Sequence, residues 1–168
     1  MPRDFKSSTG IFEGLLPRMK NIEIRKLTIE DLPGVLEIEN TSFKDPYKYD
    51  DFVWEIEHDD VYQLFCAVFE GKIIGYITFM ITFDSASIIS IAVSNKYRKN
   101  GVAKALMDRM LSCLKEQKEP VEWVTLEVRK SNSVAISLYE KHDFKIVTEK
   151  KQYYRDGEDA YYMVATLR

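Results

Sequence analysis

Apolar and polar positions alternate with two different periods along this chain, and each change of period marks a new element. Residues 22–27 (Ile22, Glu23, Ile24, Arg25, Lys26, Leu27) begin with a period of two, the mark of a strand with one buried face. Thr28 stands three residues before Asp31, a variant of the capping box, so a helix is predicted from there to about Asn40. Pro33 falls in or near its first turn, where proline does least harm. Residues 41–50, with Phe43, Pro46, Tyr47 and Tyr49, read as a loop, and residues 51–58 as a second short helix. Strands over residues 62–69 and 73–83 are joined by Glu70-Gly71-Lys72, a hairpin signal, and another strand follows at 87–93. Residues 101–117 place Val102, Leu106, Met110 and Leu114 on one helical stripe. Residues 121–128 alternate poorly, which predicts a strand buried on both faces. A helix over 132–141 and two closing strands, 145–154 and 159–166, complete an α+β chain with a mixed central sheet.

Composition narrows the class. The 168 residues are 45% apolar and 30% charged, which suits one globular domain with a proper core. Against 27 Asp and Glu stand 24 Lys and Arg, a net charge of −3, so a chain-wide nucleic-acid surface is not expected. No apolar run approaches the roughly 18 residues of a membrane span, so no membrane insertion is expected and a cytoplasmic location is. Residues 1–20, with Ser7-Ser8-Thr9-Gly10 and Pro17, lack the continuous apolar core of a secretory signal and read as a loosely ordered leader. The domain is placed at 21–168. Two cysteines and two histidines suggest neither a disulfide framework nor a zinc site, and no metal is expected. Neither Cys66 nor Cys113 has a neighbouring base, and His58 and His142 each end a helix, where a cation suits the dipole. Trp54, Trp123, Phe65, Phe79 and Phe83 are expected in the core.

The stretch richest in chemistry is Ser90 to Leu106. A β-branched strand runs into a basic turn, and Gly101 opens a long amphipathic helix. The first turn of a helix carries unpaired N–H groups and the positive end of the dipole, so this is a candidate anion site. Gly101 would let a phosphate approach the backbone, Ala103 keeps the turn slim, and Arg98 and Lys99 add positive charge. The alternative is an ordinary strand–turn–helix with a solvated basic loop. Neither a Walker loop nor a dinucleotide fingerprint is present.

Arg98-Lys99-Asn100-Gly101-Val102-Ala103 resembles the Arg/Gln-x-x-Gly-x-Gly/Ala pyrophosphate loop of the GNAT acetyltransferases. Leu126-Glu127-Val128-Arg129, with Asn132 and Leu138-Tyr139-Glu140 following, is similar to the second half of the acetyl-CoA site in that family. Tyr153-Tyr154-Arg155-Asp156-Gly157-Glu158-Asp159-Ala160 resembles the ending of the RimI-type protein N-terminal acetyltransferases. The resemblance implies a GNAT fold in which two central strands splay apart to admit acetyl-CoA. It implies that Ile91, Ala92 and Val93 pair with the pantetheine arm. The pyrophosphate would lie on residues Arg98, Lys99, Asn100, Gly101, Val102, Ala103 and Lys104. Asn132 would contact the arm, and Tyr139 would protonate the departing thiolate.

Glu127 lies at the carboxyl end of a strand, where open sheets tend to place ligands. The resemblance makes it a proton acceptor for the amine; the alternative is a strand-end glutamate paired with Arg129 or Lys130. For the acceptor, the resemblance implies the α-amine of a protein or peptide N-terminus. Phe43 and Tyr47 on one side, and Tyr153 and Tyr154 on the other, are the candidate contacts. As the end of a strand, Tyr153 and Tyr154 would send their rings to opposite faces; the alternative is that both pack on the sheet. Asp45 is a possible second acid. Ser87 stands where some archaeal relatives place a histidine, and Asp143 where glycine or asparagine is usual. Two rival functions remain: a lysine or small-amine acetyltransferase, and a partner-dependent acetyl-CoA-binding subunit. An auxiliary subunit or ribosome association fits the same resemblance.

Overall fold

The computed structural model describes residues 21–167, so the expected leader at 1–20 lies outside the described residues. The strands are β1 (Glu23–Lys26), β2 (Tyr62–Phe69), β3 (Lys72–Thr82), β4 (Ser85–Val93), β5 (Trp123–Arg129), β6 (Lys145–Lys150) and β7 (Ala160–Thr166). The helices are α1 (Leu32–Ser42), α2 (Tyr49–Glu57), α3 (Val102–Lys115) and α4 (Ser133–Lys141). All seven strands form one mixed sheet in the order β1-β2-β3-β4-β5-β7-β6. Among the described residues its one parallel contact, between β4 and β5, divides two antiparallel halves.

Helices cover both faces. Leu106, Met107 and Met110 of α3 pack with Phe65, Ala67, Ile77 and Phe79 on one side. On the other, Leu32, Val35 and Ile38 of α1 and Phe52 of α2 pack with Leu64, Cys66 and Tyr76. Strand alternation divides β2 between the two layers, which is why its sequence reads as nearly continuous apolar residues. Gly75 on β3 admits α3: a Cβ there would stand 3.2 Å from Val102 and 3.1 Å from the Ala92 carbonyl.

Local signals work as the chain pattern implies. The Thr28 N–H donates to the Asp31 carboxylate at 2.8 Å, and a short 3-10 turn leads into α1. Arg25 also bonds Asp31, holding its carboxyl down at about 2. At the far end of α4 the chain leaves through Asp143 at φ +67°, the left-handed turn for which glycine or asparagine is usual.

Four expectations need correction. β5 alternates cleanly: Val124, Leu126 and Val128 are buried, whereas Trp123, Thr125, Glu127 and Arg129 are not. The face that carries Val124, Leu126 and Val128 joins the core, and the opposite face does not. Phe65 and Phe79 are in the core, but Trp54, Trp123 and Phe83 are exposed; Phe83 sits in the β3–β4 turn at φ +53°. The last hairpin is shorter than expected, since β6 ends at Lys150 and pairs there with Ala160. Tyr153 and Tyr154 therefore belong to a turn, closed by hydrogen bonds from Tyr154 N–H to the Glu158 carbonyl and Gly157 N–H to the Tyr154 carbonyl.

Candidate active site

β4 and β5 pair only at Ser85–Trp123, Ala86–Val124 and Ser87–Thr125. At the last rung the Ser87 and Thr125 hydroxyls bond each other at 2.8 Å. Beyond it the strands separate, and a cleft of about 500 Å³ opens between them. A bulge in β4, where Thr78 faces Ser90 but Phe79 faces Ile88, bends the strand just as it leaves its neighbour. The departing length of β4 includes Ile91, Ala92 and Val93, all lining the cleft.

The basic loop follows directly. Arg98 is buried, donates from Nε to the Val93 carbonyl at 2.9 Å and lines the cleft. Lys99 and Gly101 have φ of +63° and +81°, so the chain turns tightly before entering α3. The Asn100 amide donates to the Tyr97 and Arg98 carbonyls, which fixes that turn. A Cβ on Gly101 would meet none of the described residues within 4 Å, so the space over the helix start is open among them. Ala103 lines the cleft, but the Val102 side chain is buried in the core and Lys104 is paired with Asp108 at 2.8 Å. At both positions the backbone N–H, at the start of a helix, has no internal acceptor.

The opposite wall is β5 and α4. Asn132 caps α4, its Oδ1 accepting from the Ala135 N–H at 3.1 Å, and lines the cleft. Tyr139 also lines it, buried; burial first, and then the neighbouring Tyr154, push its phenol above the ordinary range. Glu127 faces the same space. Its partner is neither Arg129 nor Lys130 but Lys150 of β6, at 2.6 Å. Cross-strand pairing explains the choice: β7 lies between, and the Lys150 ammonium reaches Glu127 across Tyr162, 4.7 Å from that ring.

Arg129 has a different task. It bonds Asp156 and Glu158 and lies 4.1 Å over the Tyr154 ring, so the turn after β6 is held against the end of β5. Tyr154 consequently lines the cleft, with its phenol pushed up to about 12, chiefly by burial. Tyr153 does not line it; its ring is half exposed and stands edge-on to Tyr154 at 5.0 Å. The two rings therefore pack together instead of pointing to opposite faces.

The loop between α1 and α2 forms the remaining rim. Phe43 and Tyr47 line the cleft, and Asp45 and Lys44 face Arg155 and Asp156 at 3.5 and 3.4 Å. Glu39, which was not among the expected site residues, belongs to the same space. It is 3% exposed, lines the cleft and accepts bonds from the Tyr76 hydroxyl and, at 2.9 Å, the Tyr47 N–H. Burial raises its pKa. Its signal was an acid on the apolar stripe of α1, one turn after Val35. Among the described residues no group of three His, Cys, Asp or Glu side chains could hold a metal ion. No helix among them is long and apolar enough to cross a membrane.

The profile of the Acetyltransferase (GNAT) family matches residues 23–144. A Sulfolobus acidocaldarius protein named N-alpha-acetyltransferase is 36% identical over 164 residues, covering 89% of this chain and 95% of that protein. The [ribosomal protein bS18]-alanine N-acetyltransferase of Escherichia coli is 32% identical over 147 residues, 86% of this chain and 97% of its own. The crystal structure of Ard1 from Thermoplasma volcanium superimposes with a TM-score of 0.80 at 30% identity, over 88% of this chain and 98% of that one.

Proposed function

The chain belongs to the GNAT acetyltransferase family, and from that premise we propose that it moves acetyl from acetyl-CoA to the α-amine of a protein or peptide N-terminus. The observation that carries this is the early end of the β4–β5 ladder. It opens one space that gathers a strand edge, a helix start, Glu127 and Tyr139. The names borne by the Sulfolobus and Escherichia relatives support a protein α-amine as the acceptor.

The residues fit the donor. An elongated thioester with amide groups suits the edge of β4 at Ile91, Ala92 and Val93, whose partner strand has moved away. Its pyrophosphate suits the start of α3, where Gly101 leaves open space and the N–H groups of Val102, Ala103 and Lys104 lack internal acceptors. When bound, acetyl-CoA supplies the activated acetyl group.

Glu127 takes the proton of the attacking amine through water, its carboxylate fixed by Lys150. Tyr139 donates its phenolic proton to the departing sulfur; a phenol at its ordinary value of about 10 is protonated at neutral pH, and burial shifts it further in that direction. The demand on Glu127 is light. A protein α-amine has a pKa of about 7.7–8.0, so roughly a tenth to a fifth is already neutral at pH 7. A lysine amine at about 10.4 needs roughly 3.4 kcal/mol more. The rim formed by Phe43, Tyr47 and Tyr154 would read the first peptide unit, and Asp45 across from Arg155 joins its two sides.

The test is a panel of short peptides that differ at their first two residues, with N-blocked lysine peptides as controls. Acetylation of free N-termini and none of the blocked peptides is the expected result. Equal turnover of the blocked peptides would overturn the α-amine reading in favour of lysine.

A further inference from the structure

Beside the cleft, and sharing Tyr47 with it, lies a second pocket of about 210 Å³ lined by Tyr47, Asp51, Trp54, Glu55 and Tyr62. Asp51, Trp54 and Glu55 come from one face of α2, at spacings of three and four residues. Tyr62 comes from the start of β2, and its ring meets Trp54 edge-on at 5.3 Å. The proposed acetyl transfer uses none of these groups except Tyr47.

Glu55 is the unusual member. It is 5% exposed, it lines the pocket, and its Oε1 has no hydrogen-bond partner among the described residues. A carboxyl buried this far without a donor is costly to ionise, and a cation entering the pocket beside it lowers that cost. Asp51, at the exposed mouth, already accepts the Lys48 N–H at 2.8 Å and contributes its charge. The segment from Tyr49 to Asp60 holds six carboxylates and no lysine or arginine. Its one basic side chain, His58, is stacked on Trp54 at 4.0 Å and bonded to the Trp54 carbonyl.

These walls select a ligand. An anion would meet two acidic side chains, and a neutral apolar group would leave the Glu55 carboxyl without a partner. An ammonium or guanidinium group satisfies the carboxylates, and aromatic rings attract cations. Tyr47 is common to this pocket and to the acceptor side of the cleft, so a polypeptide lying in the cleft passes its entrance. We propose that the pocket receives the cationic end of a lysine or arginine side chain in the acceptor polypeptide, downstream of its N-terminus. The inference rests on a peptide acceptor and adds to it a preference for basic sequence.

The test measures peptide binding by calorimetry to the full chain in the presence of CoA. Lysine is walked through the second to the sixth position of a peptide and compared at each with uncharged norleucine. At one position or more, lysine binds at least about fivefold tighter, and Glu55→Gln abolishes the difference. The same ratio is expected with N-blocked peptides, because the pocket reads a side chain. Acetylation of the free peptides, followed separately by mass, tests the acceptor reading by itself. n-Butylammonium is expected to compete with the lysine peptide, and n-butanol to have no effect. Equal binding of lysine and norleucine peptides at all positions would overturn the proposal. So would a lysine preference that survives Glu55→Gln, or competition by butanol equal to that by butylammonium. A thermal melt of Glu55→Gln, expected to be at least as stable as the parent at neutral pH, separates lost binding from lost folding.

Discussion

Phe144 holds Tyr139 by two contacts: its N–H donates to the Tyr139 carbonyl at 3.1 Å, and its ring packs against the tyrosine ring with centroids 5.8 Å apart. The Asp143 N–H bonds the Glu140 carbonyl in the same turn, so α4 ends in a Schellman motif with its usual apolar contact. The candidate acid is thereby positioned by the element that terminates its own helix. Tyr139→Phe keeps this packing and removes only the hydroxyl. It should lower kcat by about 10²–10⁴-fold, the range for general acid catalysis, while acetyl-CoA affinity stays near wild type. Steady-state kinetics with a calorimetric Kd check both parts; an unchanged kcat would move the proton donor elsewhere.

Gly101 adopts φ +81° with open space beyond its α-carbon, so alanine there meets no atom of the described residues. The left-handed backbone alone should cost about 1–2 kcal/mol of stability. The methyl would nonetheless stand where a pyrophosphate approaches the start of α3, and Gly101→Ala should weaken acetyl-CoA binding at least about tenfold, ~1.4 kcal/mol. Calorimetry on the folded variant, with an unchanged Kd as the contrary result, decides whether the loop belongs to the site.

Tyr154 lines the cleft and Tyr153 does not, which separates two residues that are adjacent in sequence. Tyr154→Phe should raise the KM for peptide several-fold and leave the KM for acetyl-CoA alone. Tyr153→Phe should change neither. Equal effects from both would mean that the turn as a whole, and not the Tyr154 hydroxyl, meets the acceptor.

Burial, with Asp51 and Glu39 adding to it, pushes the Glu55 carboxyl up to about 7. Unfolded, it would titrate near 4.3. The folded chain therefore holds this proton more tightly, so the contribution to stability is complete below about pH 4 and is lost as pH rises through about 7. The loss amounts to roughly 4 kcal/mol on the alkaline side. Glu55→Gln should melt close to wild type at pH about 5 and clearly higher at pH about 8. Parallel melting curves at both pH values would show that Glu55 is ionised without penalty.

Local chemistry was legible because it depends on neighbours in sequence. The Thr28–Asp31 cap, the Pro33 start of α1, the Glu70-Gly71-Lys72 hairpin and the stripe of α3 need only a few consecutive residues to be recognised. The loop from Arg98 to Ala103 was visible for the same reason, since a helix start after a glycine is a local arrangement.

What the sequence determined, then, was which segments become strands and helices, where the helices start, and the family to which the chain belongs. Tertiary structure decided the partners. Glu127 pairs with Lys150 and not with nearby Arg129 or Lys130, because a β-ladder brings together residues far apart in sequence. Tyr154 enters the cleft because Arg129, Asp156 and Glu158 end the hairpin early. Trp54 and Phe83 are apolar yet exposed, because burial depends on which face of an element meets the core. Glu39 and Glu55 are buried acids for the same reason. Periodicity shows that a residue lies on a face, but only packing against the other elements settles whether that face meets solvent, core or a pocket.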